Sequence, residues 1–279
     1  MQELTDQVNR IDMVLDKGFV KLVDYMGSDA AIVQAARVSY GEGTKTIRED
    51  RGLIRYLLRQ GHSSPFEMVQ TKWHIKTPIF VARQWLRHRT ASVNELSRRY
   101  SEATDEFYIP EDSRIQSQST NNKQGSGEEL SSDIKDIFYD ELDNVYTTTF
   151  NSYDKLNKLG VARELGRITL PVSLYTEFYW SMNLRNLFHF LKLRLDNHAQ
   201  YEIRVYAEAI YKRIKELFPL ACEAFDDYIV GGKTFSKQEM GILRQLIDAS
   251  MLPELESSNL LTVLSTGERQ EFLSKLISF

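Results

Sequence analysis

The sequence predicts an α+β protein, and three observations carry that expectation. Strand-like and helix-like patterns alternate irregularly, without the repeated strand–helix–strand units of a parallel sheet. Capping residues, glycines and prolines stand at the joints between patterns. A glycine pair, Gly231-Gly232, separates a main domain, residues 1–230, from a helical C-terminal extension, residues 231–279.

Taken in order, residues 16–23 alternate weakly and read as a first strand. Ser28 is placed to cap a helix from Asp29, with Ala30, Ile32, Val33 and Ala36 inward and Arg37 near its end. Residues 47–60 form a second amphipathic helix, with Leu53, Ile54, Leu57 and Leu58 on its apolar side and Gly61 as its stop. Residues 68–75 alternate as a strand that puts Trp73 and Ile75 on one face. Thr77 and Pro78 read as a cap and a first-turn proline opening a short helix over 79–87. Residues 107–109 form a short strand ended by Pro110.

Residues 111–128 hold almost nothing apolar and read as a mobile polar surface loop. A long helix follows over 130–159, then a shorter one over 161–168 closed by Pro171. Residues 174–182 are aromatic-rich and strand-like. Residues 184–195 and 198–218 are helical, and the extension carries two short helical patterns, 236–251 and 267–276.

The chain has 279 residues, a net charge of −4 and ordinary hydrophobic and charged fractions. That balance gives no general attraction to nucleic acid or acidic membranes, so anion binding must come from local clusters. The polar, acidic N-terminus does not resemble a signal peptide and no apolar run has the length of a membrane span. A cytoplasmic protein is the expectation. The single cysteine, Cys222, excludes an intrachain disulfide and a cysteine-rich zinc site. His189 and His198 are nine residues apart with no third ligand type nearby, so no metal site is assigned. Gly231-Gly232-Lys233-Thr234 ends like a phosphate-binding loop, but Asp227 stands where that loop needs glycine.

Between Arg83 and Tyr100 stand five arginines and one histidine against one acid, Glu95. Burying so much unbalanced positive charge is costly, and ordinary surfaces intersperse the two signs. Ser92, Asn94, Glu95 and Ser97 add side chains of the kind that fix planar ligands by paired hydrogen bonds. Arginine forks suit phosphates and the imide edge of a pyrimidine. The cluster therefore points to a planar anionic ligand; by charge alone, a solvated helix end is an equal reading.

The fourteen residues from Arg87 to Tyr100, RHRTASVNELSRRY, resemble the signature RHRxxSxNExSxRY of flavin-dependent thymidylate synthases. The resemblance extends through Leu15-Asp16-Lys17-Gly18-Phe19, Ala36-Arg37-Val38-Ser39, Gly61-His62-Ser63-Ser64-Pro65-Phe66-Glu67, Gly166-Arg167-Ile168-Thr169-Leu170-Pro171, Asn183-Leu184-Arg185 and Leu193 to Gln200. It covers about residues 15–224. It implies an antiparallel sheet flanked by helices, and reductive methylation of dUMP to dTMP. The implied carbon donor is 5,10-methylenetetrahydrofolate, and the implied hydride carrier is FAD reduced by NADPH. It also implies a homotetramer whose active sites are shared between subunits, with dUMP stacked on the flavin.

Carried over by matching positions, the resemblance implies that Ser39, His62, Ser64, Arg87, His88, Arg89, Glu95, Asn183, Arg185 and His189 lie on the FAD side. The resemblance implies threonine in most of the family at the Ser64 position, whose hydroxyl serine keeps, and often asparagine at the His189 position, whose group histidine does not keep. Gln84, Arg87, Glu95, Leu96, Ser97, Arg98, Arg99, Arg167 and Arg194 are implied on the dUMP side, with Arg98 serving through its backbone N–H. Arg194 is the implied catalytic residue: guanidinium contacts to the uracil edge stabilise negative charge as it builds on the ring. Asp196 and His198 are near enough in sequence to fix its fork. His74 reads as a structural residue of its strand. Cys222, outside every motif, is expected to be a buried apolar-like residue rather than a nucleophile.

Two other classes of function compete. A nucleotide-binding regulator without turnover would require loss of flavin-side residues, and only His189 departs. An RNA-binding module would require exposed stacking aromatics and a basic balance, which the net charge opposes. The extension is expected to be dispensable for cofactor binding, though Leu243, Leu246 and Ile247 form an apolar stripe.

Overall fold

The computed structural model describes residues 8, 10–38, 47–120, 125–246, 255 and 259–277. Its strands are β1 (Ile11–Val14), β2 (Gly18–Met26), β3 (Gln70–Pro78), β4 (Ser92–Glu95), β5 (Gln116–Gln118), β6 (Ser126–Glu129) and β7 (Tyr175–Asn183). Five of them form an antiparallel sheet in the order β1-β2-β3-β7-β4, and β5 and β6 pair separately. The α+β class is as the sequence predicts.

The helices are α1 (Asp29–Arg37), α2 (Ile47–Arg59), α3 (Ile79–Trp85), α4 (Ser132–Lys158), α5 (Arg163–Gly166), α6 (Leu184–Arg194), α7 (Tyr201–Leu217), α8 (Pro219–Phe225), α9 (Lys237–Leu246) and α10 (Thr266–Ile277). Among the described residues, no helix is long and apolar enough to cross a membrane.

The two central strands alternate strictly, and this creates two unlike faces. Trp73 stands opposite Trp180, and Ile75 opposite Phe178; all four are buried. Trp85 of α3 packs on that face, its ring 5.1–5.6 Å from those of Phe178, Trp180, Phe190 and Tyr206. Each such aromatic pair adds about 0.5–1.5 kcal/mol beyond its buried area. This cluster ties α3, α6 and α7 to the sheet. The residues between, His74 and Lys76 on β3 and Glu177 and Tyr179 on β7, point to the other face.

Gly18 is required by a close approach: a Cβ there would meet the Tyr206 hydroxyl at 1.9 Å. That hydroxyl donates to the Lys76 carbonyl at 2.7 Å and locks α7 across β2 and β3.

Several elements differ from expectation for identifiable reasons. Ser28 stands at the N-cap of α1 without a side-chain cap bond, and Ala30 is exposed. The neighbouring Asp29 carboxylate instead accepts the Leu220 and Ala221 N–H groups at 2.9 and 3.0 Å, capping α8. Thr77 is not a cap: β3 runs on to Pro78, opposite Tyr175, so Thr77 is buried in the sheet and Pro78 is itself the N-cap of α3. Residues 107–109 contribute one bridge, Phe107 to Leu174, rather than a strand.

The polar block 111–128 holds more structure than its composition suggests. Ile115 is buried, and the Leu130 N–H closes onto its carbonyl at 3.0 Å, which seeds the β5–β6 hairpin; residues 121–124 lie outside the described residues. Strand β4 was not expected because all four of its residues are exposed, so no alternation marks it.

The extension returns to the main domain. A π-helical turn, Asp226–Val230, follows α8 and presents Asp227 and Tyr228 to α2. The chain then reverses where a Cβ on Gly232 would strike the Tyr228 carbonyl at 2.3 Å. Helix α10 lies against α2 through Glu268 and Glu271.

Candidate active site

The motif residues are distributed by β4. Asn94 pairs with Tyr179 and Glu95 with Phe178 along β7, and the Leu96 N–H continues the ladder to the Glu177 carbonyl at 2.8 Å. This places Asn94, Glu95, Leu96 and Ser97 on the rim of a pocket of about 560 Å³, completed by His74, Glu177, Phe178, Tyr179, Tyr100 and Ser101. Glu95 is oriented by Thr176, whose hydroxyl donates to its carboxylate at 2.8 Å. The Ser97 carbonyl accepts the Ser101 hydroxyl at 3.0 Å, and the Ser97 hydroxyl accepts the Arg99 N–H at 3.3 Å, so the turn after β4 is held open toward the pocket. Arg98 turns inward: its guanidinium donates to the carbonyls of Glu102 and Tyr175, which leaves its backbone to serve a ligand. Arg99 is exposed and paired with Glu164 at 3.1 Å.

A second cluster lies on the helical side of the sheet. Arg194, at the end of α6, donates from Nε to His88 Nε2 at 3.0 Å and from Nη2 to the Gln84 carbonyl at 3.3 Å. The Gln84 side chain in turn donates to Gln200, which donates to Glu202 at 2.8 Å. Five N–H donors less these two leave three for a ligand. The expected helpers of Arg194 are elsewhere. Asp196 accepts the N–H and the Nδ1 of His198 at 2.8 and 2.7 Å, so those two residues pair with each other and not with the arginine fork.

Burial, and then the charges of Arg194 and His189, lower the His88 pKa to about 4 from an ordinary 6.5. His88 is therefore neutral near pH 7, and its Nε2 can accept from Arg194; a protonated ring could not. A depressed histidine pKa contributes stability that is present above pH 6.5 and falls away between pH 6.5 and about 4, where only the unfolded chain takes up the proton. An NMR titration of the imidazoles is expected to place the His88 midpoint near 4; a midpoint near 6.5 would mean that His88 is not buried beside Arg194 in solution. Burial also lowers the pKa of Arg194, which stays charged.

Of the expected cofactor-side residues, Asn183, Arg185 and His189 lie on or at the start of α6, and Arg87, His88 and Arg89 lie in the loop beside it. Arg87, Arg89, Arg185 and His189 are exposed. The loop 86–91 follows this helix: Asn186 donates to the Thr90 carbonyl at 3.3 Å, and the His88 and His189 rings lie 6.3 Å apart. The Asn183 Oδ1 caps α6 by accepting the Asn186 N–H at 2.9 Å, and its amide NH₂ can serve a ligand. Arg185 pairs with Glu67 at 3.3 Å, in the 3₁₀ turn Ser64–Met68 that opens with the exposed Ser64. His62 is exposed just before that turn, and Ser39 lies outside the described residues. Arg167 is exposed on the 3₁₀ turn Arg167–Thr169.

The chain thus brings together Gln84, His88 and Arg194, and separately Glu95, Leu96 and Ser97. Sequence reasoning missed the pocket floor. His74 stacks on Tyr179 at 4.7 Å and 5°, and its Nε2 meets Glu177 at 2.9 Å. The available signal was that all three are polar-face positions of strands whose other face is core. Cys222 is buried and burial raises its thiol pKa well above the ordinary value, so it supplies no thiolate, as its position outside the motifs suggested.

The chain has sequence and structural relatives. The profile of the family described as "Thymidylate synthase complementing protein" matches residues 21–220. A flavin-dependent thymidylate synthase of Wolbachia pipientis wMel is 52% identical over 245 residues, covering 88% of this chain and 86% of the relative. One from Thermus thermophilus is 55% identical over 245 residues, with 88% and 89% covered. The crystal structure of a UMP/dUMP methylase, PolB from Streptomyces cacaoi, bound with 5-Br dUMP superimposes with a TM-score of 0.72 at 35% identity, covering 78% of this chain and 98% of that one.

Proposed function

Since the chain belongs to the thymidylate synthase complementing protein family, we propose that this flavin-dependent thymidylate synthase takes its carbon from 5,10-methylenetetrahydrofolate and its hydride from FAD reduced by NADPH. We also propose that it works as a cytoplasmic homotetramer. The observation that carries the reading is the Gln84–His88–Arg194 cluster: residues up to 110 positions apart converge on one half-buried guanidinium with donors to spare.

FAD fits the donor set along α6. Arg87, Arg89 and Arg185 are exposed cations suited to a diphosphate, and Asn183 keeps an amide donor. Bound FAD supplies the hydride-transfer chemistry; the chain's own residues bind, orient and polarise. Arg194 holds the uracil edge, where its contacts strengthen as negative charge develops on the ring. Neutral His88 keeps the Arg194 fork in place without competing for the ligand's charge. Glu95, Leu96 and Ser97 offer a second binding edge, and Arg99 and Arg167 offer cations for the phosphate.

Purified protein is expected to carry FAD whose absorption band bleaches on mixing with NADPH, faster when dUMP is present. Stopped-flow spectroscopy measures both rates. FAD that stays oxidised under both conditions would refute the assignment of NADPH as reductant.

A further inference from the structure

The C-terminal helix is fastened to α2, and α2 leads directly into the turn that carries His62 and Ser64. Glu271 accepts two hydrogen bonds from Arg59, from Nε and Nη2, both at 2.7 Å, and a third from the Gln60 side chain at 3.1 Å. Glu268 accepts from Arg55 Nε at 2.6 Å and from the Tyr228 hydroxyl. It also closes the capping box of α10: its carboxylate accepts the Ser265 N–H at 2.9 Å, while its own N–H donates to the Ser265 hydroxyl at 3.4 Å. Burial raises the pKa of Glu268, but the hydrogen bonds from Tyr228, Ser265 and Arg55 outweigh it and hold the carboxyl down at about 2. The clasp is therefore charged throughout the neutral range.

From Arg59 the contact continues toward the turn. Its guanidinium carbon lies 5.8 Å from the centre of the Tyr56 ring, and the Tyr56 ring meets the His62 ring edge-on at 5.8 Å and 88°. The backbone couples the same groups: His62 N–H donates to the Leu57 carbonyl at 2.8 Å, and Gly61, at φ +72°, donates to Leu58 at 3.1 Å. A helix end closed in this way turns with the helix. The other end of α2 is anchored by Asp50, whose carboxylate meets Arg37 of α1 at 3.0 Å.

We propose that α10 is a clasp that sets the position of the Gly61-His62-Ser63-Ser64 turn, and that Glu271, acting through Arg59 and Tyr56, is a positioning residue for the cofactor side of the active site. The inference rests on the reading that His62 and Ser64 face the flavin. It reverses the expectation that the extension is dispensable: an α2 released from α10 loses the Glu268 partner of Arg55, the Glu271 partner of Arg59 and, with them, the orientation of the turn.

The test uses full-length holoenzyme with Glu271→Ala, Tyr56→Leu, the two combined, and His62→Ala. The FAD dissociation constant and the bound-flavin absorption band are measured for each. Residues in one contact chain couple, so each single variant should weaken FAD about three- to tenfold and shift the band toward that of free FAD. The double variant should be no weaker than the weaker single. Tyr56 is 42% exposed and its replacement leaves every ion pair of α10 in place, so Tyr56→Leu carries the test even if Glu271→Ala folds poorly. An Glu271→Ala protein with faster proteolysis beyond Gly232 but parental FAD affinity and spectrum overturns the clasp as a positioning device, as do additive effects in the double variant. His62→Ala separates the premise: if it leaves FAD affinity and spectrum unchanged, the flavin-side reading of His62 falls and the clasp proposal with it. If it perturbs them while Glu271→Ala does not, only the clasp falls.

Discussion

Replacing Arg194 with alanine is expected to slow dTMP formation at saturating dUMP by roughly one to two powers of ten, because each charge-assisted hydrogen bond lost costs about 1.5–3 kcal/mol. The guanidinium is held by His88 Nε2 at 3.0 Å and the Gln84 carbonyl at 3.3 Å, so its free donors keep one direction before substrate arrives. Donors fixed in advance do not have to reorganise as charge builds on the uracil ring, and that is where the rate advantage lies. Arg167 provides the contrast. It is exposed on a short 3₁₀ turn, and a contact to phosphate changes little between ground and transition states. Arg167→Ala should therefore mainly weaken dUMP binding, by about the same factor. Single-turnover rates and dUMP titrations separate the two. An Arg194→Ala enzyme that regains the full rate once dUMP saturates would reduce Arg194 to an anchor.

Arg55→Ala should have the largest effect on stability, a loss of about 3–5 kcal/mol, as when one partner of a buried ion pair is removed. Arg55 is 8% exposed and bonds Glu268 at 2.6 Å, Glu223 at 3.0 Å, the Tyr228 hydroxyl at 3.0 Å and Asp227. Without it, the carboxylates of Glu268, Glu223 and Asp227 lose their shared cation. Arg51 still neutralises Glu223, while Glu268 keeps only the longer contact to Arg59 at 3.5 Å. Urea denaturation of parent and variant measures the difference. A loss under 1 kcal/mol would mean that the carboxylates reach water once Arg55 is gone, and that Arg59, Gln60 and Tyr228 suffice to hold the extension. The expected loss should shrink as pH falls from 4.5 toward 2, where the depressed Glu268 carboxyl takes up its proton and the parent forfeits the same interaction.

Local pattern makes much of this protein legible in its sequence. Strict alternation in β3 and β7 is encoded in residue types a few positions apart, and so is the amphipathic face of α2, with Ile54 and Leu57 buried as expected. The motif from Arg87 to Tyr100 declared its chemistry in the same local way, because an excess of arginine with Asn94 and Glu95 between is a statement about ligand type that needs no fold. Strand β4 escaped because an edge strand with both faces exposed has no alternation to read. Asp29 escaped because the helix it caps is α8, some 190 residues away, and not the one it begins.

Tertiary structure alone decided what those residues can do. Arg194 has Asp196 and His198 as sequence neighbours, yet its fork is held by His88 and Gln84, because the end of α6 is folded against α3 by the shared aromatic cluster around Trp85. Burial beside that arginine pushes the His88 pKa down to about 4. His74 looked like one more strand residue until β7 set Glu177 and Tyr179 beside it. The extension looked separate by sequence, yet Glu268 and Glu271 reach back more than 200 positions to Arg55 and Arg59. Residue type and short-range spacing determine which element forms and what chemistry it can offer. Protonation state, orientation and partnership depend on burial and on long-range contacts, and those exist only once the chain has folded.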